Sequence, residues 1–435
     1  MARKHPFDIN TCARHNILSL EPYRCARDDY KDDGTNILLD ANENAYGPGL
    51  PLDANGKLVD ANKGINGLLD LDLRGLNRYP DPHQEELKSL LCALRNTGTH
   101  RDQALAPANL FVGVGSDEAI DALLRAFCMP GHDKLLTCPP TYGMYSVSAT
   151  VNDVAVVKVP LREKNFSLDV PAIHAALSAD PTIKLIYLCS PGNPTGTILS
   201  KDEINEVLSH PTWNGVVVID EAYVDFSPPG SSLAQRVLEH PNLVVMQTLS
   251  KAFGLAGIRL GVAFCPKPIA RLLNSLKAPY NISSPTSHIA KAALTPAALK
   301  VSSGYQEAIL QQRDRMVREL PGVHPSVGAL RGGLDANFLL VEMLDQPSGK
   351  PSNIVALKVY EQLAENRGVV VRFRGKEHGC LGCLRITVGT EDEVTRFLSE
   401  LRSVLNSIYK EEDVASVLDR KKEEQEEVKA NDVLA

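Results

Sequence analysis

The chain has 435 residues, 43% of them hydrophobic, so it can bury a sizeable core and should divide into two or three structural units. Its formal charge of −7 and its aromatic content of 5% argue against a nucleic-acid partner. No apolar run approaches the roughly 18 residues that span a bilayer, and the N-terminal segment lacks the apolar centre of a secretory signal. We therefore expect a cytoplasmic globular protein with no nucleic-acid or membrane partner.

The nine cysteines also bear on the compartment. They are scattered and odd in number, which favours reduced thiols over a disulfide framework. Cys380 and Cys383 form a lone CxxC pair, with no second pair and no histidine at ligand spacing. Ordinary thiols in a turn are therefore favoured over a zinc site, and we expect no bound metal.

The first half of the chain predicts an arm, a loop and the start of a large domain. Residues 1–47 are expected to form an N-terminal arm that contributes to a small domain, and residues 48–76, rich in Gly, Asn and Asp, a surface loop. A large domain is expected over residues 77–297. Within it, residues 110–127 combine a short strand, a glycine turn and an amphipathic helix that begins near Ser116.

Three nearly continuous apolar runs, at residues 183–190, 216–220 and 243–248, predict buried strands. The segments between them are long enough for helical crossovers, so the runs predict a parallel sheet covered by helices. Polar sequences follow the runs: PGNPTG after the first, DEAY across the end of the second and LSK after the third. Because ligands of open α/β sheets bind beyond the carboxyl ends of the strands, we expect these sequences to form one site.

The pattern changes near residue 298. A long helix is followed by short strands at NFLLVEM, GVVVRF and LRITVG and by a final amphipathic helix, which indicates a small α+β domain over residues 298–410. Residues 411–435 are rich in charge and are expected to form a solvated helix or a disordered tail.

The stretch TLSKAFGLAGIRLG places two cations, Lys251 and Arg259, among small and apolar residues. A lysine that loses solvation has a lowered pKa and becomes a nucleophile toward aldehydes. Taken alone, Lys251 could be a surface lysine in a loop, and Asp220 could cap a turn. Pyridoxal phosphate, however, needs a lysine for its aldehyde, a carboxylate for its ring nitrogen, donors for its phenolic oxygen, and cations with N–H groups for its phosphate.

The sequence offers residues for each of these requirements. Lys251 would form the internal aldimine, and Asp220 would keep the ring nitrogen protonated. Asn193 and Tyr223 could donate to the phenolic oxygen. The candidates for the phosphate are Thr248, Ser250, Arg259 and, through backbone N–H groups at a helix N-terminus, Ser116, Asp117 and Glu118.

For Asp117, Glu118 and Tyr142, the direction in which the side chain points also matters. We expect the side chains of Asp117 and Glu118 to point away from the phosphate while their amides face it. Tyr142, in CPPTYGMY, could stack on the cofactor ring or be an aromatic residue of the core.

The motifs SPGNPTG, DEAYVDF and TLSKAFGLAGIRLG, in this order, resemble those of the fold-type-I pyridoxal-phosphate-dependent aminotransferases. Within that group, NENAYGP, NRYPDP, GVGSDEAID, CPPTYGMYSVSA and CLRITVGT resemble the histidinol-phosphate aminotransferase family, over roughly residues 20–405. The resemblance implies an α/β fold: a large domain with a mostly parallel sheet between helices, and a smaller α+β domain. It implies the cofactor roles given above, with Tyr142 stacking on the ring. Loop 48–76 and tail 411–435 depart from the family pattern.

The resemblance also implies partners. The working form would be a homodimer in which Tyr79 reaches the cofactor phosphate of the neighbouring subunit. The residues implied around the substrate are Tyr23, Asn193, Arg372 and Arg385.

The implied reaction is a ping-pong transamination between L-histidinol phosphate and 2-oxoglutarate that gives imidazole-acetol phosphate and L-glutamate, in histidine biosynthesis. Lys251 would be its general base. Two alternatives remain open: a pyridoxal-phosphate-dependent decarboxylase of a phosphorylated amino acid, and a non-catalytic aminotransferase-like regulatory domain. Sequence separates the decarboxylase poorly, because the choice of bond depends on which substrate bond stands perpendicular to the ring.

Overall fold

The structure is a computed structural model that describes residues 14–20, 35–53, 73–97 and 104–410. Tyr23, the tail 411–435 and most of the expected loop 48–76 lie outside the described residues. Among the residues described, no helix has the length and apolar character needed to cross a membrane.

The elements are numbered in chain order. The strands are β1 (Ile37–Leu38), β2 (Leu110–Val114), β3 (Lys134–Thr137), β4 (Ala155–Lys158), β5 (Ile183–Cys189), β6 (Val216–Asp220), β7 (Leu243–Thr248), β8 (Leu260–Phe264), β9 (Val327–Arg331), β10 (Phe338–Met343), β11 (Val369–Val370), β12 (Arg372–Phe373) and β13 (Cys383–Thr387). The helices are α1 (His15–Leu18), α2 (Glu85–Arg95), α3 (Gly115–Phe127), α4 (Met144–Val151), α5 (Val170–Ala179), α6 (Lys201–Leu208), α7 (Lys267–Leu276), α8 (Ser284–Ala293), α9 (Pro296–Glu319), α10 (Asn353–Arg367) and α11 (Glu391–Lys410).

A seven-stranded sheet forms the larger layer, with the order β2-β8-β7-β6-β5-β3-β4. Alternate residues of β6 belong to two separate apolar clusters, Val217 and Ile219 to one, Val216 and Val218 to the other. The sheet is therefore buried on both faces, which explains why its central strands are continuous apolar runs. The three strands expected from those runs are β5, β6 and β7, and they pair in parallel, as predicted.

Strand β8 was not predicted, and it makes the sheet mixed. It pairs antiparallel with both β2 and β7. Gly261 in this strand lies against the start of α3, where an added Cβ would come within 2.3 Å of the backbone nitrogen of Ser116. The missing side chain lets the first turn of α3 approach the sheet.

The smaller layer contains a four-stranded antiparallel sheet, β12-β13-β10-β9, and the parallel pair β1-β11. The single strand predicted at GVVVRF was wrong, because the structure divides it at Val371. Its first half pairs with the N-terminal arm, Ile37 opposite Val369, and its second half pairs with β13. Strand β9 and helix α10 were not predicted.

The two layers are connected by α9, whose N-cap Thr295 accepts a hydrogen bond from the Ala298 amide. The division into a large domain at 77–297 and a small domain at 298–410 stays a prediction. Cys380 and Cys383 are both buried in the apolar core beside β13.

Candidate active site

A cavity of about 440 Å³ lies at the carboxyl ends of β5, β6 and β7, between the start of α3 and the β12–β13 pair. Its position is the one expected for a ligand site of an open α/β sheet. Glu118 and Tyr79 do not line it. The sequence-predicted residues that do are Ser116, Asp117, Tyr142, Asn193, Asp220, Tyr223, Thr248, Ser250, Lys251, Arg259, Arg372 and Arg385.

Lys251 follows β7 and projects into the cavity, where its Nζ donates to the Ala41 carbonyl oxygen at 2.8 Å. Burial, reinforced by the positive charge of Arg385, lowers the pKa of Lys251 to about 8. Much of this amine is therefore neutral near pH 8, as a nucleophile or general base requires.

Asp220 ends β6 and is 3% exposed. Its Oδ2 accepts a hydrogen bond from the Tyr145 hydroxyl at 2.7 Å, and its Oδ1 accepts one from the Ala222 amide at 3.1 Å. Burial raises the pKa of Asp220 to about 6, although both hydrogen bonds oppose the rise. A buried carboxylate in this state favours a cationic N–H partner, which a protonated ring nitrogen would supply.

Tyr145 is a site residue that the sequence analysis missed. It lies in α4, has no exposed surface, and stacks on Tyr187 with ring centroids 4.8 Å apart. Burial holds the pKa of Tyr145 well above its usual value, so the hydroxyl stays a donor to Asp220. The motif CPPTYGMYSVSA contained it, but nothing in the sequence indicated which strand end its hydroxyl would meet.

Two donors line the side of the cavity. The Tyr223 hydroxyl accepts a hydrogen bond from Asn42 Nδ2 at 2.9 Å, which leaves its own proton to donate. Burial raises the pKa of Tyr223 to about 12 and keeps that proton in place. Asn193 Oδ1 accepts from Arg385 Nη1 at 2.7 Å, so the amide hydrogens of Asn193 can point to a ligand oxygen.

The part of the cavity beside the start of α3 can bind an anion. Gly115 begins α3 with φ 70°, a conformation that favours glycine, and an added Cβ there would lie 2.6 Å from Nη2 of Arg259, so the guanidinium lies close against the helix N-terminus. Thr248 Oγ1 donates at 2.9 Å to Ser250 Oγ and also lies 3.1 Å from the Leu260 carbonyl oxygen. Free helix N–H groups, a guanidinium and hydroxyls together suit a phosphate.

The expectation for the two acidic residues of α3 was half right. Glu118 points away, accepting at 2.5 Å from the Val114 amide. Asp117, in contrast, faces the cavity, because its carboxylate lies 3.4 Å from the Arg259 guanidinium and accepts from the Tyr142 hydroxyl at 3.3 Å.

Arg372 and Arg385 are direct cross-strand partners on β12 and β13. Like charges in opposite positions destabilise a sheet unless an anion joins them. Arg385 is 4% exposed, donates to Asn193 and to the Asp40 carbonyl oxygen, and has a buried Nε that bonds to none of the described residues. Burial and then the neighbouring Arg374 lower the pKa of Arg385 to about 9, so it is charged at neutral pH.

Tyr79 lies outside the cavity of its own chain. Its side chain is 80% exposed, and its ring stacks on Tyr280 with centroids 4.5 Å apart. The structure thus leaves the phenol at the surface, beside a second aromatic ring.

The cavity fits pyridoxal 5′-phosphate by its donor set. A lysine of lowered pKa could take the aldehyde, a buried carboxylate the ring nitrogen and two donors the phenolic oxygen, while the glycine-lined helix start could take the phosphate. Tyr142 lines the same space, so it is available to the cofactor ring.

Comparisons with known proteins agree with this geometry. The model of the family "Aminotransferase class I and II" matches residues 35–401. The chain is 52% identical to the histidinol-phosphate aminotransferase of Schizosaccharomyces pombe, over 93% of this chain and 99% of the relative, and 45% identical to that of Saccharomyces cerevisiae, over 93% and 100%.

A solved structure is similar in fold. The histidinol-phosphate aminotransferase of Sinorhizobium meliloti, crystallised with pyridoxal-5′-phosphate, superposes with a TM-score of 0.74 at 21% identity, covering 94% of this chain and 99% of that one. The decarboxylase and regulatory alternatives are not favoured, since the curated relatives are aminotransferases. The chain therefore belongs to the class I and II aminotransferases, whose cofactor is pyridoxal 5′-phosphate, and within them to the histidinol-phosphate aminotransferase family.

Proposed function

We propose that the protein interconverts L-histidinol phosphate and 2-oxoglutarate with imidazole-acetol phosphate and L-glutamate, a step of histidine biosynthesis. The name and high identity of its relatives support this substrate. The observation that carries the proposal is one cavity in which Lys251 and Asp220 face the paired guanidiniums of Arg372 and Arg385. A donor that carries both an amine and an anion suits such a cavity.

Bound pyridoxal phosphate supplies an electron sink for the carbanion at the donor's Cα. Asp220 holds the proton of the ring nitrogen through its buried carboxylate. Nζ of Lys251 accepts the proton that leaves Cα and holds it, because its pKa, lowered to about 8, leaves much of the amine neutral near that pH. Tyr223 and Asn193 donate hydrogen bonds that fix the cofactor's orientation.

The two amino donors, histidinol phosphate and glutamate, are proposed to share Arg385, with Arg372 and Tyr23 completing the anion site for the phosphate ester. Planar guanidiniums bind a phosphate or a carboxylate through the same paired N–H groups, which a lysine cannot imitate. In single-turnover half-reactions, Arg385→Lys should lower the second-order rate constant about ten- to two-hundredfold for both donors. A loss confined to glutamate would mean that the phosphate binds elsewhere.

The reaction itself is tested with the purified holoenzyme. Histidinol phosphate and 2-oxoglutarate should yield glutamate without carbon dioxide, and histidinol phosphate should have a higher kcat/KM than phenylalanine or aspartate as donor. In a separate incubation with a phosphorylated amino acid such as phosphothreonine, carbon dioxide without glutamate would support a decarboxylase. Absence of both products would support a regulatory domain.

We propose that the working form is a homodimer in which Tyr79 contacts the partner's cofactor. Its position outside its own cavity, with 80% of its side chain exposed, supports this role. Mixing Tyr79→Phe chains with Lys251→Ala chains should give heterodimers with one site free of both changes, and that site should bind the cofactor as tightly as the unmodified protein. If affinity follows the chain's own Tyr79 instead, the residue acts within its subunit.

We also propose that the protein works in the cytoplasm. The cysteines described in the structure are free and buried, which suits a reducing compartment. Cell fractionation with a cytoplasmic marker enzyme is the measurement, and recovery with a membrane or organelle fraction would contradict the proposal.

A further inference from the structure

A third guanidinium, that of Arg374, reaches the same cavity as the Arg372–Arg385 pair. The Arg374 amide donates to the Cys383 carbonyl oxygen at 2.9 Å, which extends the pairing of β12 with β13 by one residue. Residues two apart on a strand project to the same face, so Arg374 lies on the face of Arg372. Nothing in the sequence analysis singled this residue out.

One carboxylate, that of Glu377, orients Arg374. Nη1 of Arg374 donates to Oε1 of Glu377 at 2.8 Å, and the two side chains are only 23% and 27% exposed. The Nε of Arg374 is buried and bonds to no group in the described part of the chain. The Glu377 contact therefore fixes the guanidinium by Nη1 and leaves Nη2, which makes no hydrogen bond among the described residues, for a ligand.

The positive charge on this face exceeds what a carboxylate ligand would need. A phosphate monoester carries up to two negative charges and three acceptor oxygens, whereas a carboxylate carries one charge and two oxygens. The Arg372–Arg385 pair can satisfy a carboxylate, and a third guanidinium adds a partner that only the phosphate can use fully.

We propose that Arg374 is a specificity-determining residue that binds the donor's phosphate through Nη2 of its guanidinium, with Glu377 as the residue that positions it. The inference rests on the proposed function and deepens it: Arg374 favours the phosphate-ester donor over the dicarboxylate donor at the same site.

The test measures binding without reaction. The probes are 3-(imidazol-4-yl)propyl phosphate, which keeps the ester but lacks the amine, and glutarate, which supplies carboxylates. Each is titrated calorimetrically into the holoenzyme and its variants. Arg374→Gln should weaken the ester about ten- to hundredfold and glutarate less than about threefold. Arg367→Gln is the matched control, because it removes an ion pair with Glu400 outside the cavity and should change neither affinity.

Two further variants separate contact from charge. Arg374→Gln with Glu377→Gln removes both members of the pair, so the charge is unchanged; ester binding should stay weak. Arg374→Lys retains the cation and the pairing with Glu377, and it should also bind the ester less tightly, since lysine lacks the planar guanidinium.

Several results would overturn the inference. Ester affinity restored in the double variant would mean that Arg374 only neutralises Glu377. Equal losses for both probes in Arg374→Gln would show no selectivity, and an unchanged ester affinity would remove Arg374 from the site. Failure of the unmodified holoenzyme to bind the ester would instead overturn the proposed function, and this inference with it.

Discussion

The two ends of the cavity are built differently. At the end formed by the large sheet, each polar group is held by a neighbour: Asp220 by Tyr145 and the Ala222 amide, Ser250 by Thr248. At the end formed by β12 and β13, three guanidiniums line the cavity and Glu377 pairs with one of them, while two of their buried Nε atoms have no partner among the described residues.

This difference matches two kinds of ligand. A cofactor that stays bound needs fixed donors and acceptors of set pKa, which the strand ends provide. A substrate that binds and dissociates in each turnover needs charged groups that find their counter-charge only when it is bound. The comparison therefore assigns the large-sheet end to the cofactor and the arginine end to the donor's anion.

The largest effect is expected at Lys251. Lys251→Ala should lower turnover by about a thousandfold or more and abolish the absorbance of the lysine-linked cofactor, because the nucleophile and base are both lost. The melting temperature should not fall, since a buried amine of lowered pKa is removed. The control is Lys184→Ala, at a half-buried lysine outside the cavity whose Nζ donates to the Pro181 carbonyl oxygen. Near-normal turnover would contradict the assignment.

Asp220→Ala should retain part of the cofactor but turn over at least tenfold more slowly, which is about 1.4 kcal/mol or more of barrier, because an unprotonated ring is a poor electron sink. Steady-state kinetics at saturating cofactor is the measurement. Asp121→Ala, at a surface ion pair with Arg125, is the control. A smaller loss would exclude the ring-nitrogen role.

Tyr145→Phe tests the large-sheet end of the cavity through the hydrogen-bond donor to Asp220. Without the hydroxyl, the pKa of Asp220 should rise further, because a hydrogen bond that stabilises its charged form is lost. Cofactor affinity should fall about fivefold, near 1 kcal/mol. Tyr187→Phe removes a hydroxyl that donates to the Ile120 carbonyl oxygen instead, and it should leave affinity unchanged. Equal losses in both variants would indicate a packing effect.

The smallest expected effect is the pH dependence of the rate of cofactor loading. Neutral Lys251 is the reactive form, and its pKa is lowered from 10.5 to about 8, so the rate of cofactor loading should rise with pH through about 8 and then level off. Below that pH the folded state binds this proton more weakly than the unfolded state does. The stability cost at Lys251 therefore fades as pH rises from about 8 to 10.5.

Arg385→Gln is the companion measurement for this midpoint. It removes a positive charge that lowers the pKa of Lys251, so the midpoint should move upward by less than about one unit. A midpoint near 10.5 in the unmodified protein would contradict the environment assigned to Lys251.

The sequence predicted the cofactor end well and the arginine end less well. Asp220 and Lys251 follow apolar runs whose parallel pairing is local and repetitive, so their convergence could be inferred from the pattern alone. Arg372 lies in β12, directly after β11, which pairs with residues 37–38, more than 300 residues earlier; no local sequence pattern indicates such a long-range pairing.

The hydrogen-bond partners of the site residues also could not be predicted from the sequence. Tyr145 and Asn42 are joined to their acceptors across 75 and 181 residues, and Arg385 to Asn193 across 192. Contacts of this kind depend on tertiary packing rather than on local propensity, so the sequence could name Asp220 and Tyr223 but not the side chains that form hydrogen bonds to them.

The most direct test of the two-ended cavity is one substitution made at each end. Arg259→Lys and Arg385→Lys both keep a positive charge and remove a guanidinium, and for each variant the cofactor dissociation constant and the donor half-reaction at saturating cofactor are measured. We expect Arg259→Lys to weaken the cofactor about tenfold with little change in the donor rate constant. Arg385→Lys should leave cofactor affinity within about twofold and slow the donor ten- to two-hundredfold. If both variants change the same quantity, the assignment of one end to the cofactor and the other to the donor is contradicted.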